Sequence, residues 1–167
     1  PVLAVNPGAS KAEREWPVER MIETIREAQK RWDAQVILTG GPGVREQSAG
    51  ATIMDAVSAG ITNLIGETTP KKLAAVLARA DCLLAPDTGP VHLAGAVGTP
   101  VVGLYAVASP QLSGPYRYPE LTVNRYPEAV RTILGQDPHT VNWTTRVHRG
   151  EPMRLIEVAD VLPKLAQ

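Results

Sequence analysis

One segment near the middle of the chain, Ala80-Asp81-Cys82-Leu83-Leu84-Ala85-Pro86-Asp87-Thr88-Gly89-Pro90-Val91-His92-Leu93-Ala94, has the residue types that anion chemistry needs. Cys82 to Ala85 is an apolar run of strand length. Asp87 and Thr88 are good helix caps, Gly89 permits close backbone approach, and Pro90 suits a first helical position. A strand ending on such a cap sets unpaired N–H groups and the positive end of a helix beside an open crevice, which is the usual setting for a bound phosphate. His92, two residues into that helix, adds an imidazole N–H in reach of the same anion. The same residues also serve helices whose only need is a cap, and a histidine near a helix start often only packs. The segment alone leaves both readings open.

Strand and helix patterns alternate around this segment, which predicts βα units on a parallel sheet of about five strands with helices on both faces. Val2 to Val5 reads as the first strand, leaving through the loop Asn6-Pro7-Gly8-Ala9-Ser10. Val18, Met21, Ile22, Ile25, Ala28 and Trp32 recur at helical spacing and predict a helix over 17–32. A second strand at 36–38 exits through Gly40-Gly41-Pro42-Gly43 into a helix over 44–59, closed by Gly60. A weaker strand covers 63–65, and Thr69-Pro70 caps a third helix carrying Leu73, Val76, Leu77 and Ala80. The 82–85 and 101–105 strands flank the His92 helix. Over 109–150 the pattern gives long irregular loops with at most one short strand near 121–123. The chain closes on a helix over 155–165, with Pro163 awkwardly inside it. In an open α/β sheet, ligands bind outside the carboxyl ends of the strands. The Asn6, Gly40, Gly66 and Asp87 loops all leave there and are expected to line one crevice.

Composition removes several other classes of function. At 167 residues the chain is of single-domain size, and 17 basic residues balance 17 acidic ones, so no net field draws it to nucleic acid. No apolar run reaches the length of a membrane span, so a cytoplasmic location is expected. A single cysteine, Cys82, rules out an intrachain disulfide. His139 and His148 lack the spacing of metal ligands and are expected on the surface. The Gly40 turn lacks the Gly-Lys-Ser/Thr ending of a Walker loop, and a G-x-G-x-x-G fingerprint fails at Glu46. The opening Pro1-Val2-Leu3-Ala4-Val5 starts directly on a strand without an initiator methionine, as expected of a piece of a longer enzyme.

The Asp87-Thr88-Gly89 run with His92 and Ala94, followed by Gly98-Thr99-Pro100-Val101-Val102-Gly103-Leu104-Tyr105, resembles the signature of the ADP-heptose:lipopolysaccharide heptosyltransferases. These form glycosyltransferase family 9, with two Rossmann-like halves in a GT-B arrangement. The resemblance is to the C-terminal, donor-binding half, strongest over 2–115. It implies one nucleotide-sugar-binding domain over 1–167, with the N-terminal acceptor domain outside this chain. Its implied activity is transfer of heptose from ADP-heptose to the lipopolysaccharide core, inverting and without a metal or other cofactor. The lack of any Asp-x-Asp pair agrees with the metal-free expectation. The implied location includes the cytoplasmic face of the inner membrane, as a peripheral protein.

By the same resemblance, Asp87, Thr88, Gly89 and His92 hold the diphosphate and sugar, Ser10 donates to phosphate, and Arg14 supplies countercharge. Lys11 rivals Arg14, and the family often has Lys where Arg14 stands; Arg forks whereas Lys acts as a point charge. The bland alternative is a solvated cluster over Lys11 to Glu15. Glu46 matches an acidic residue that binds the donor ribose, although a first-turn Glu also suits the helix dipole. Thr68, in the turn after the third strand, falls nearest the adenine. The family's general base lies in the N-terminal half, so none is assigned here. Pro152 departs from the family ending, where a Cys often precedes Met153. Rival readings are a stand-alone nucleotide-binding module or half of another GT-B-like enzyme, such as a nucleotide-sugar epimerase. Exposed apolar residues around 106–118 are expected where a partner domain would pack.

Overall fold

A computed structural model describes residues 1–167. Six strands, β1 (Val2–Val5), β2 (Gln35–Leu38), β3 (Ile61–Asn63), β4 (Cys82–Pro86), β5 (Val101–Tyr105) and β6 (Val123–Asn124), form one sheet in the order 3-2-1-4-5-6. Every neighbouring pair is parallel. The central strands read as continuous apolar runs because both of their faces are covered by helices. Val5, Leu83, Leu84, Ala85, Val102 and Leu104 are all buried. The sixth strand is the one short strand that the patterning allowed near 121–123, displaced to Val123–Asn124. It consists only of Val123 and Asn124, paired with Leu104 and Tyr105, and a two-residue strand carries no period of its own. The open edge of β5 decides it. The order reverses between β1 and β4, and this is the topological switch point where an open α/β sheet leaves a crevice.

Helix α1 (Val18–Trp32) buries Met21, Thr24, Ile25 and Ala28 against one face of the sheet and ends on Asp33 in the left-handed region, φ 52°. Helix α2 (Val44–Ala56) stops three residues short of the expected end. Val57 turns extended and is buried, while Gly60, at φ +67°, serves the turn into β3 instead. On the opposite face, α3 (Pro70–Leu77) starts on Thr69, whose hydroxyl accepts from the Lys72 N–H, and Ala80 lies beyond the helix end. Helix α4 (Gly89–Val97) ends on Gly98 at φ 88°. Leu77, Val91 and Ala94 pack there with Ala4, Leu83, Ala85 and Val101.

The 109–150 region holds more structure than its composition suggested. Short helices α5 (Pro110–Ser113) and α6 (Tyr126–Ala129) form, and α6 continues into a wide π-type turn over Val130–Leu134. Tyr126, Ala129, Val130 and Val147 make a small core of their own. This core joins Val147 to residues 17 to 21 positions earlier in the chain, beyond the few neighbouring positions over which helical period acts. Ala106, Val107 and Ala108 are buried, contrary to the expected exposed apolar run. Tyr116, at 98 % exposure, and Tyr118 carry the exposed apolar surface of that loop.

The terminal helix is shorter than expected. A 3-10 turn over Pro152–Leu155 precedes α7 (Val158–Leu165). The Asp160 carboxylate accepts from the Glu157 N–H at 2.9 Å, closing the first turn. Pro163 is held inside this helix because Val158, Val161 and Leu162 are buried against the α1 side of the core. Trp16 pins the tail by donating its Nε1–H to the Ile156 carbonyl at 3.0 Å. No helix is long and apolar enough to cross a membrane.

Candidate functional site

The loops leaving β1 and β4 meet at the switch point. Arg14 sits in the 3-10 turn Ala12–Arg14 that follows the β1 loop, and Asp87 follows β4 directly. Arg14 Nη1 lies 3.3 Å from Asp87 Oδ2, with side-chain exposures of 20 % and 11 %. The two pair as ions without hydrogen-bond alignment, and Arg14 Nε and Asp87 Oδ2 are both buried without a hydrogen bond inside the protein. Buried polar atoms are nearly always satisfied, so these two stand out as hydrogen-bonding capacity that the protein itself leaves unused. A guanidinium there attracts phosphate; a carboxylate repels it and accepts from hydroxyls instead. Asp87 therefore orients Arg14 and is suited to accept from hydroxyls rather than to face an anion.

Tyr105, which sequence reasoning did not single out, supports this pair. Pro86 is in register with Leu104, so Asp87 and Tyr105 leave adjacent strands side by side. The Tyr105 ring is buried over Gly103, and its hydroxyl donates to the Ser113 carbonyl at 3.0 Å. Burial pushes that hydroxyl's pKa far up, the Asp87 charge adds to the rise, and Arg14 opposes it.

At α4, Thr88 occupies the N-cap position with extended backbone, yet its side chain makes no capping bond. The capping role expected of its hydroxyl is thus unfilled, and the first turn of α4 keeps that donor capacity. Nothing lies within 4 Å of where a Cβ on Gly89 would project. His92 is exposed one turn along, on the helix rather than in the core.

The first two loops are locked to each other. Asn6 is buried, donates its Nδ2–H to the Gly8 carbonyl at 2.8 Å, and accepts from the Thr39 hydroxyl at 3.3 Å. Glu46 reaches back from α2 and accepts from the Gly41 N–H at 3.0 Å. Its side chain fills the space beside Gly8, where an added Cβ would overlap Glu46 Cγ, and beside Gly40, Gly41 and Gly43. The glycines that fail every phosphate-loop pattern thus make room for one carboxylate. Arg45, also missed from sequence, donates from Nη2 to the Ala9 carbonyl at 3.0 Å and the Ser10 carbonyl at 3.4 Å, and pairs with Glu15. Ser10 and Lys11 are exposed, whereas Arg14 is the cation that turns inward.

Thr68 is half-buried in the turn after β3, which Gly66 enters at φ +79° and ties to the second loop through Gly66 N–H to Gly40 carbonyl, 2.9 Å. His148 lies against Glu13, Nδ1 to Oε1 2.9 Å, and this contact holds the Glu13 carboxyl below its ordinary pKa. His139 is exposed. An apolar hollow of about 530 Å³ lined by Val2, Trp32, Cys82 and Leu165 lies at the opposite end of the strands, away from these groups. Burial there pushes the Cys82 thiol up to about 11.

Residues 1–133 match the family model described as glycosyltransferase family 9 (heptosyltransferase). The chain belongs to glycosyltransferase family 9. It is 32 % identical over 163 residues to lipopolysaccharide core heptosyltransferase OpsX of Haemophilus influenzae, a match spanning 98 % of this chain and 47 % of that protein. The family 9 chain thus spans about half the length of the curated relative it matches. Among solved structures it is similar to E. coli ADP-heptose lps heptosyltransferase II, with TM-score 0.76 and 22 % identity over 99 % of this chain and 45 % of that one. It is also similar to E. coli heptosyltransferase WaaC with ADP, with TM-score 0.64 and 21 % identity over 74 % of this chain and 37 % of that one. The α/β Rossmann-like fold expected for a GT-B half is the one observed.

Proposed function

We propose that the crevice binds the diphosphate and sugar of ADP-heptose, and that the chain is the donor-binding half of an inverting, metal-independent heptosyltransferase acting on the lipopolysaccharide core. The observation that carries this reading is the Arg14–Asp87 ion pair at the switch point, with a buried atom on each side chain that makes no hydrogen bond within the protein. Family membership supplies the reaction class, and the relative's name supplies the acceptor class.

In this reading the acceptor hydroxyl oxygen bonds to the anomeric carbon from the face opposite the diphosphate. The bond from that carbon to the phosphate oxygen breaks, and ADP leaves with the electron pair. Arg14 and the α4 amides face the charge that develops on the leaving phosphate, where preorganised donors lower the barrier most. Asp87 accepts from sugar hydroxyls. Glu46 accepts from the ribose, Ser10 and Thr88 donate to phosphate, Gly89 leaves room for the sugar phosphate, His92 donates to it, and the Thr68 turn lines the adenine. The acceptor's proton goes to an acidic residue outside these 167 positions. Work in the cytoplasm, at the inner membrane's inner face, suits such an acceptor.

Calorimetry with ADP and UDP tests the donor assignment: ADP binds and UDP binds more weakly. Equal affinities, or no heat at millimolar nucleotide, count against it. Transfer requires base, acceptor and donor to be held together, and proximity alone supplies roughly 7–11 kcal/mol of a barrier. The 167-residue protein alone is therefore expected to show no turnover, and heptose transfer by it would overturn the placement of the base.

A further inference from the structure

Arg45 stands one residue before Glu46 on α2, half-exposed, and no spacing in the sequence marks it. Three contacts fix it. Its Nη2 donates to the Ala9 carbonyl at 3.0 Å and to the Ser10 carbonyl at 3.4 Å, while its Nε donates to Glu15 Oε1 at 3.2 Å. The same Glu15 oxygen accepts from the Ala9 N–H at 3.4 Å. Arg45 and Glu15 therefore grip both backbone groups of Ala9. On its other side the loop is held by Asn6 on the Gly8 carbonyl and by the Glu46 side chain filling the space beside Gly8. The segment that carries Ser10 and leads into Arg14 is clamped from two sides, and α2 supplies a residue to each.

We propose that Arg45 is a positioning residue for the donor diphosphate: with Glu15 it holds the Ala9–Ser10 backbone in the shape that presents Ser10 and Arg14 to the phosphates. This rests on the donor reading above and adds a residue to it. The geometry calls for arginine in particular. A guanidinium donates through Nε to one partner and through Nη2 to two carbonyls at once, in a fixed plane. A lysine ammonium at this position keeps the charge but cannot span Glu15 and the two carbonyls together. Pre-set loops bind more tightly because the cost of ordering them falls before the ligand arrives.

The test compares Arg45→Lys and Arg45→Ala in the 167-residue protein, with ADP affinity by calorimetry and amide exchange at Ala9 as paired readouts. Charge-assisted hydrogen bonds contribute enough that losing this hold is expected to weaken ADP binding roughly tenfold. Arg45→Lys is expected to lose as much as Arg45→Ala, and both speed exchange at Ala9. The half-exposed position leaves the melting temperature close to wild type. ADP affinity retained in Arg45→Lys would reduce Arg45 to a surface charge and overturn the proposal, as would unchanged exchange in both variants. Should the wild-type protein not bind ADP, the donor reading fails, while exchange at Ala9 still decides whether Arg45 holds the loop.

Discussion

Arg14 and Asp87 stand 73 positions apart in the sequence and leave different strands, yet their side chains meet at 3.3 Å across the point where strand order reverses. The two partners differ in how they tolerate separation. Asp87 is short and only 8 % exposed, so it cannot carry its charge outward to bulk solvent; Arg14 is long enough to extend outward. Arg14→Ala is expected to cost about 2–3 kcal/mol of stability by leaving a buried carboxylate unpaired. Asp87→Ala should cost less, and the double variant less than the sum of the two. Urea unfolding of the four proteins measures this, and strict additivity would show that the pair is not coupled.

His92→Ala should leave stability within about 0.5 kcal/mol of wild type, since the side chain is exposed on α4. A charge-assisted hydrogen bond to phosphate is worth roughly 1.5–3 kcal/mol, so ADP affinity is expected to fall about ten- to a hundredfold. Calorimetry and thermal melting on the same preparation separate the two effects. Normal binding with early melting would make His92 a packing residue.

Gly8→Ala places a methyl group on the Glu46 side chain. Either Glu46 gives up its hydrogen bond to the Gly41 N–H or the first loop shifts, and overpacking of this kind costs about 1–3 kcal/mol. Because Glu46 is the proposed ribose contact, nucleotide affinity should fall together with the melting temperature. Gly89→Ala is a control for the melting temperature alone, because nothing in the protein lies within 4 Å of its missing Cβ. A Gly8→Ala protein with wild-type stability and affinity would remove the lock between the two loops.

Asp160 gives a pH test of the fold remote from the crevice. Burial pushes its carboxyl pKa up, but hydrogen bonds from Arg125, at 2.6 and 3.1 Å, and from the Glu157 N–H outweigh it, so the net shift is downward. A carboxyl with a depressed folded pKa adds stability above its unfolded value, and that stability is lost as pH falls through the folded one. Asp160→Asn is expected to cost about 1–2 kcal/mol at neutral pH. The difference between the two proteins should close in acid, below the usual carboxylate range. Urea midpoints measured across pH decide it, and a gap that persists undiminished in acid would assign the effect to packing.

Local chemistry made much of this protein legible from its residues in order. The apolar runs at β1, β2, β4 and β5, the period of α1 and the Thr69-Pro70 start of α3 each lie within a few neighbouring positions, where side-chain alternation and caps act. Asp87, Thr88, Gly89 and His92 were visible for the same reason, as one strand-to-helix turn. What tertiary structure decided were relations between loops far apart in sequence. Which cation turns inward, Lys11 or Arg14, depends on a carboxylate 73 positions beyond Arg14. Whether Glu46 is a solvated first-turn residue or a wedge against Gly8 depends on how closely the β1 and β2 loops approach. Tyr105 has no role of its own in the sequence reading, and Arg45 carries no motif, because their roles come from Ser113, Ala9, Ser10 and Glu15, which only the folded chain brings beside them. Sequence period reports what a residue does for its own element; ion pairs and wedges between elements are set by strand order, which no local period encodes.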